Sequence, residues 1–157
     1  MRPLQTFHLE RAGLSDLSDL RVIEKACFPL DAWPLLELIG VLMMPNLVRI
    51  KAVKNERMVG FISAEPRRLE STGWISTIAV LPQFQRMGIA NALLDRCEQE
   101  LGFPIVKLTV RRSNLAARSL YTSRGYHQVE VWASYYQGGE DGLVLQKNIP
   151  STDQEGS

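Results

Sequence analysis

Two periods of polarity alternate along the chain. VRIKAVK (48–54) alternates apolar and polar residues from Val48 to Ala52, as a half-buried strand does. Across an Asn55-Glu56 turn, MVGFISAEPR (58–67) is its hairpin partner. GWISTIAVL (73–81) is a third strand, rich in β-branched residues and stopped by Pro82. PIVKLTV (104–110), YHQVEVWASY (126–135) and DGLVLQKN (141–148) read as strands, the last two joined by the glycine-rich YQGGE, and a short strand is expected over residues 5–10. Between the strands the period becomes helical. Leu17, Leu20, Ile23 and Cys27 mark a helix over about 16–27 with Ser15 or Asp16 as its cap. Residues 33–43 form a second helix, weakened by Gly40, after the proline-broken loop FPLDAWP (28–34). A third runs from near Gly88 to Leu101, with Ile89, Leu93 and Cys97 on one face and Gly102 closing it. Residues 114–124 form a fourth, ending at Gly125. The order βααβββαβαββ predicts a mixed α/β domain with an antiparallel front half and a βαβ crossover around the third helix.

The 157 residues suit one domain, expected over 1–149 with a frayed polar tail at 150–157, and 45% hydrophobic residues supply its core. A formal charge of +1 argues against a general nucleic-acid binder, which needs a basic excess on one face. Cys27 and Cys97 read as buried free thiols, and no CxxC or HxxxH spacing points to a metal. The opening MRPLQTFHLERAG is too polar for a signal peptide, and no stretch reaches 18 apolar residues, so a cytoplasmic protein, monomer or homodimer, is expected.

The chemistry concentrates in QFQRMGIANALLDRCEQEL (83–101), where a strand hands over to a helix. The first N–H groups of a helix lack internal partners and carry the positive end of the macrodipole. Gly88 admits a ligand to the backbone, Ala90 keeps the next approach clear, and Arg86 adds a cation, which together make the physical recipe for a diphosphate site. A glycine before a helix is also a common turn residue. GxxxxGK[ST] and GxGxxG are both missing, which removes the P-loop and the dinucleotide fingerprint.

Gln85-Arg86-Met87-Gly88-Ile89-Ala90 resembles the Q/R-x-x-G-x-G/A signature of the GNAT superfamily of N-acetyltransferases. STIAVLP before it is similar to that family's fourth strand, and VRRSNLAARSLYTSRGY (110–126) to its later motif. The ending SYYQGGEDGLVLQK resembles the RimI-type enzymes, which acetylate protein N-termini. The resemblance spans residues 4–149. It implies a sheet with splayed central strands and acetyl-CoA as acyl donor. By the same resemblance, backbone groups of Ile78, Ala79 and Val80 meet the pantetheine arm and acetyl carbonyl, and Arg86, Met87, Gly88, Ile89, Ala90 and Asn91 hold the diphosphate. Asn114 bonds the pantetheine arm, and Tyr121 is the general acid at the thioester sulfur. The spacing agrees with part of this: Asn114 and Tyr121 are two turns apart on one helical face, with Ala117 and Arg118 between them.

One position breaks the pattern. RimI-type enzymes carry a glutamate where this chain has Thr109, and a threonine hydroxyl is no general base. Glu24 or Glu65 acting through water, an acceptor amine already partly neutral, or a domain that binds the donor without turning it over are the three explanations. On the acceptor side, Phe28 and Leu30 in the FPLDAW loop and Tyr135 and Tyr136 in the last hairpin are candidates to grip a peptide N-terminus, with Glu140 and Asp141 to attract its ammonium. Arg111 is a candidate to reach a phosphate; His127 reads as a surface or packing residue. The acceptor is a protein or peptide α-amine or, alternatively, a small amine such as a polyamine, amino sugar or amino acid. A non-catalytic acyl-CoA sensor is the third reading. No cysteine falls in either motif, so direct attack in a ternary complex is the expected mechanism.

Overall fold

A computed structural model describes residues 7–150. Eleven elements follow in the predicted order: β1 (His8–Arg11), α1 (Leu17–Cys27), α2 (Leu35–Met43), β2 (Val48–Lys54), β3 (Arg57–Arg67), β4 (Thr72–Val80), α3 (Ile89–Leu101), β5 (Ile105–Arg111), α4 (Leu115–Ser123), β6 (His127–Trp132) and β7 (Gly142–Asn148). The strands form one sheet in the order β1-β2-β3-β4-β5-β7-β6. Pairs β1–β2, β2–β3, β5–β7 and β6–β7 are antiparallel, and β4–β5 is parallel, as a βαβ crossover requires. That parallel ladder joins only Thr72–Trp74 to Ile105–Lys107, whereas β5 and β7 pair from Ile105↔Asn148 through Arg111↔Gly142. The fold is thus the mixed, mostly antiparallel α/β sheet, with a short parallel ladder between β4 and β5.

The chain divides into two compact units. One comprises the chain up to Glu65 with Ser76–Leu101, the other Pro66–Ile75 with the chain from Gly102 onward. In the first, β3 is buried from Met58 through Ala64 because both its faces are covered. Helix α3 buries Ile89, Leu93, Leu94, Cys97 and Leu101, the spacing of a single helical face. Leu20, Ile23, Leu38, Leu42, Met58 and Phe61 join α1, α2 and β3 in one core. Emptying such a site, as in Leu93→Ala, costs about 2–5 kcal/mol. In the second unit β5 alternates strictly, with Val106, Leu108 and Val110 inward, and β7 buries Leu143, Val144 and Leu145.

Predicted and observed boundaries agree closely, with four differences. The strand expected over 126–135 ends at Trp132, because Ser134 takes a left-handed backbone (φ 53°) and donates its N–H to Asp141 Oδ1 (3.0 Å). Tyr135 therefore lies in the connecting loop. Asp16 does not cap α1 with its side chain: Oδ2 accepts the Gly13 N–H (2.9 Å) and Oδ1 pairs with Lys51 Nζ (2.8 Å). Helix α2 passes through Gly40 unbroken. Cys97 is fully buried, but Cys27 is only half-buried. Part of the strand expected over 5–10, and the tail but for Pro150, lie outside the described residues. No described helix is long and apolar enough to cross a membrane.

Candidate active site

Pro82–Phe84 makes one tight turn after β4 and Gln85 is extended. Arg86 (φ 65°) and Gly88 (φ 82°) are both left-handed, so the chain doubles back before α3 begins at Ile89. Ala92 is the first to close a helical bond, donating to the Gly88 carbonyl (3.0 Å). The N–H groups of Ile89, Ala90 and Asn91 precede it and have no carbonyl one turn back. Ile89 is buried and anchors the helix start, while Arg86, Met87 and Gly88 are exposed. A Cβ built on Gly88 would meet no atom within 4 Å, so the space in front of these donors is open. Open donors, the helix dipole and Arg86 suit an anion. Ile78 is half-buried just upstream, with Ala79 and Val80 buried.

Beside the end of β4 lies a buried acid. Glu24, on α1, is 2% exposed; its Oε1 accepts a hydrogen bond from Thr77 Oγ1 (3.3 Å), and Oε2 has no partner among the described residues. Burial pushes its pKa up, opposed by the hydrogen bonds from Thr77 and the Trp33 backbone N–H. Trp33 belongs to the loop after α1, whose Phe28 packs on the core and whose Leu30 is 69% exposed. Glu65 is exposed on β3.

The second unit places the remaining candidates. Asn114 is the N-cap of α4 and its side chain accepts the Ala117 N–H (3.2 Å). Tyr121 is buried in the same helix, edge-on to Tyr126 at 5.8 Å, and burial, with a smaller contribution from Tyr136, raises its pKa well above the usual phenol range. Thr109 is half-buried in β5, opposite Val144. A Cβ on Gly142 would come within 2.9 Å of Thr109 Cγ2 and 3.0 Å of Tyr135 Cδ1, so only glycine lets Tyr135 lie against the sheet beside Thr109. Tyr135 also contacts Trp132 (5.1 Å) and Tyr136 (4.9 Å), and Trp132 stacks on Trp74 (5.8 Å). The Arg111 guanidinium lies 4.6 Å over the Tyr136 ring, donates to the Gln137 carbonyl (3.4 Å) and is 3.7 Å from Glu140. Glu140 accepts from Ser113 Oγ (2.7 Å) and the Ser113 N–H (3.4 Å); Ser113 first, then Arg111, holds its carboxyl below the usual carboxylate range.

One family model matches residues 17–126: that of the acetyltransferase (GNAT) family. The chain belongs to that family. The acetyltransferase is 34% identical over 148 residues to the N-terminal acetyltransferase A complex catalytic subunit NAA10 of Arabidopsis thaliana, covering 90% of this chain and 77% of that protein. It is 35% identical over 104 residues to the ribosomal protein bS18-alanine N-acetyltransferase of Salmonella typhimurium, covering 62% of this chain and 69% of that one. The crystal structure of the ribosomal-protein-S18-alanine N-acetyltransferase from Escherichia coli superposes with a TM-score of 0.83 at 25% identity, over 93% of this chain and 96% of that one.

Within the acetyltransferase, the first unit ties Glu24 to Thr77 on β4 and places Val80, bonded by the Gln85 side chain, just ahead of the Arg86–Asn91 cradle. The second brings together Thr109, Tyr135 and Tyr136 and carries Asn114 and Tyr121 on α4. Three expectations gain detail. Asn114 is a cap rather than a member of a helical face, so its carbonyl oxygen is engaged and its amide nitrogen is what it offers a ligand. Glu140 and Asp141, candidates to attract an ammonium, already have partners: Glu140 is tied to Ser113 and Arg111, and Asp141 to the Ser134 N–H and Arg112 (3.5 Å). Arg111 is engaged by Tyr136 and Gln137 rather than reaching for a phosphate. Thr109 is flanked by Tyr135. Sequence reasoning missed Thr77, the partner of Glu24, and Gln85, whose side chain folds back on β4; Gln85 lay in plain view as the first residue of the signature.

Proposed function

We propose that the chain transfers acetyl from acetyl-CoA to the α-amino group of a protein or peptide by direct attack in a ternary complex. The observation that carries this reading is the open, left-handed turn at Gly88 ahead of the first N–H groups of α3, which have no intrahelical partner. It fits the diphosphate of acetyl-CoA, with Arg86, Met87, Gly88, Ile89, Ala90 and Asn91 as its holders, the end of β4 (Ile78, Ala79, Val80) meeting the pantetheine arm and Asn114 offering its amide. The two relatives named above, both called N-terminal or alanine N-acetyltransferases, support a protein acceptor.

An α-ammonium has a pKa near 7.7–8.0, so a useful fraction of acceptor is neutral at physiological pH. What remains is to accept a proton as the nitrogen attacks and to return one to the departing thiolate. Glu24 suits the role of proton acceptor, being a carboxyl with one free oxygen, a pKa raised toward the working pH and a hydrogen bond to Thr77. On this reading Thr109 need not act as a base, and the buried Glu24 is preferred to the exposed Glu65. Tyr121 serves the thiolate. Because burial strengthens its hold on the proton, it stabilises the thiolate chiefly by donating a hydrogen bond. The candidates to grip the acceptor are Phe28 and Leu30 in the first unit and Tyr135 and Tyr136 in the second, the two tyrosines packed against Gly142 and Arg111.

The test is a screen of acetyl-CoA turnover on free peptide N-termini, N-blocked lysine peptides and small amines. Turnover confined to free N-termini is expected. Turnover on polyamines or amino sugars alone would reassign the acceptor, and coenzyme binding without thiol release on any amine would make the protein a sensor.

A further inference from the structure

The carbonyl of Val80, the last residue of β4, accepts hydrogen bonds from two side chains. Cys27 Sγ donates from the end of α1 (3.3 Å), and Gln85 Nε2 donates from the turn that leads to Gly88 (3.2 Å). A carbonyl oxygen has two lone pairs, and both are used here by side chains. The other end of the same peptide unit is held too: the Leu81 N–H donates to the Val59 carbonyl on β3 (2.9 Å). A peptide unit is planar, so fixing its C=O and its N–H removes its freedom to rotate. The Val80–Leu81 plane is thereby locked, together with the backbone of Val80 on one side and the turn toward the cradle on the other.

The two donors come from segments with different roles. Cys27 immediately precedes the Phe28–Trp33 loop on the acceptor side, and Gln85 immediately precedes Arg86 and Gly88 on the coenzyme side. We infer that Gln85 and Cys27 are positioning residues that clamp the Val80–Leu81 peptide, setting the register between the end of β4 and the anion cradle and coupling the cradle to the acceptor loop. The inference rests on the coenzyme reading of the same turn, but assigns side chains that the reading does not use.

Consequences differ for the two sides. Without its amide, Gln85→Leu frees the turn from β4, and coenzyme must then order it on binding. A neutral hydrogen bond contributes about 0.5–1.5 kcal/mol, so the Kd for CoA should rise roughly 2–12-fold. Cys27→Val removes the other donor and should raise the acceptor KM by a similar factor, while Cys27→Ser keeps a donor and should restore most of it. Because the donors share one acceptor, the losses of Tm in the two single variants should not sum in the double variant.

The experiment is calorimetric titration of the purified protein with CoA, alongside acceptor KM and kcat for wild type, Gln85→Leu, Cys27→Val, Cys27→Ser and Gln85→Leu/Cys27→Val, with melting curves for each. The expected result is a CoA Kd raised by Gln85→Leu, an acceptor KM raised by Cys27→Val and rescued by Cys27→Ser, and losses of Tm that do not sum in the pair. CoA affinity unchanged in Gln85→Leu, or losses of Tm that sum fully in a folded double variant, overturns the clamp. Wild-type protein that binds no CoA at all overturns the coenzyme reading instead, so the two failures are distinguishable.

Discussion

Gly88→Val isolates the cradle from the fold. The residue has φ 82°, where an L side chain costs about 1–2 kcal/mol, more for a β-branched one. The new Cβ meets nothing within 4 Å, so no steric penalty adds to this. For a chain of this size, about 2–4 °C of Tm is lost per kcal/mol, which places the fall at roughly 2–8 °C. The ligand feels a different effect. The side chain projects into the open space before the helix N-terminus and denies a diphosphate its close approach to the backbone. Two charge-assisted hydrogen bonds, at about 1.5–3 kcal/mol each, are forfeited, and CoA affinity should fall about 10²–10⁴-fold. The chain carries its own control. Gly138 has nearly the same backbone (φ 87°) and equally open surroundings, but lies in the β6–β7 loop. Gly138→Val should lose a similar Tm and keep its CoA affinity. Calorimetric titration and thermal unfolding of both variants decide the matter. If both melt alike and both bind CoA like wild type, the diphosphate does not rest on this turn.

The buried acid and the phenol make further predictions. Because the Glu24 pKa is raised, the base is lost on acidification at a higher pH than for an ordinary glutamate, near 4.3. At saturating acceptor, where the ammonium titration that shapes kcat/KM is set aside, the acid limb of kcat should lie above that value in wild type and flatten, with a lower plateau, in Glu24→Gln; an identical limb in the variant removes Glu24 as base. A raised folded-state pKa also means that the favourable contribution of the protonated group is present below the unfolded pKa and lost as pH rises through the folded one. Glu24→Gln should therefore melt higher than wild type at neutral pH, the difference closing in acid. Tyr121→Phe should lower kcat about 10²-fold with CoA affinity retained, as single-turnover and titration data will show; an undiminished rate removes Tyr121 from the chemistry.

What could be read from the sequence was whatever is encoded by neighbours. The alternation of VRIKAVK marks β2 at Val48–Lys54, and the spacing of Ile89, Leu93 and Cys97 marks α3, because side-chain periods of two and of 3.6 residues are properties of the local backbone. The cradle belongs to this class: strand end, Pro82, Gly88 and helix start are consecutive. Asn114 shows where local reasoning slips, since its position fits a helical face and a cap equally, and only the Ala117 N–H on its oxygen decides. Tyr135 shows it again, the left-handed Ser134 having ended β6 three residues early.

Tertiary structure decided the electrostatics. Glu24 and Thr77 are 53 residues apart, as are Cys27 and Val80, and both pairs exist only because α1 packs against the end of β4. Nothing near Glu24 in sequence foretells an acid left with one free oxygen, and nothing near Glu140 foretells its capture by Ser113 and Arg111. A hydrogen-bonding pattern can be anticipated from adjacent residues because chain connectivity brings them together. Burial, the state of a proton and the locking of a peptide plane depend on which distant segments the core draws into contact, and that is settled by the packing of the whole unit.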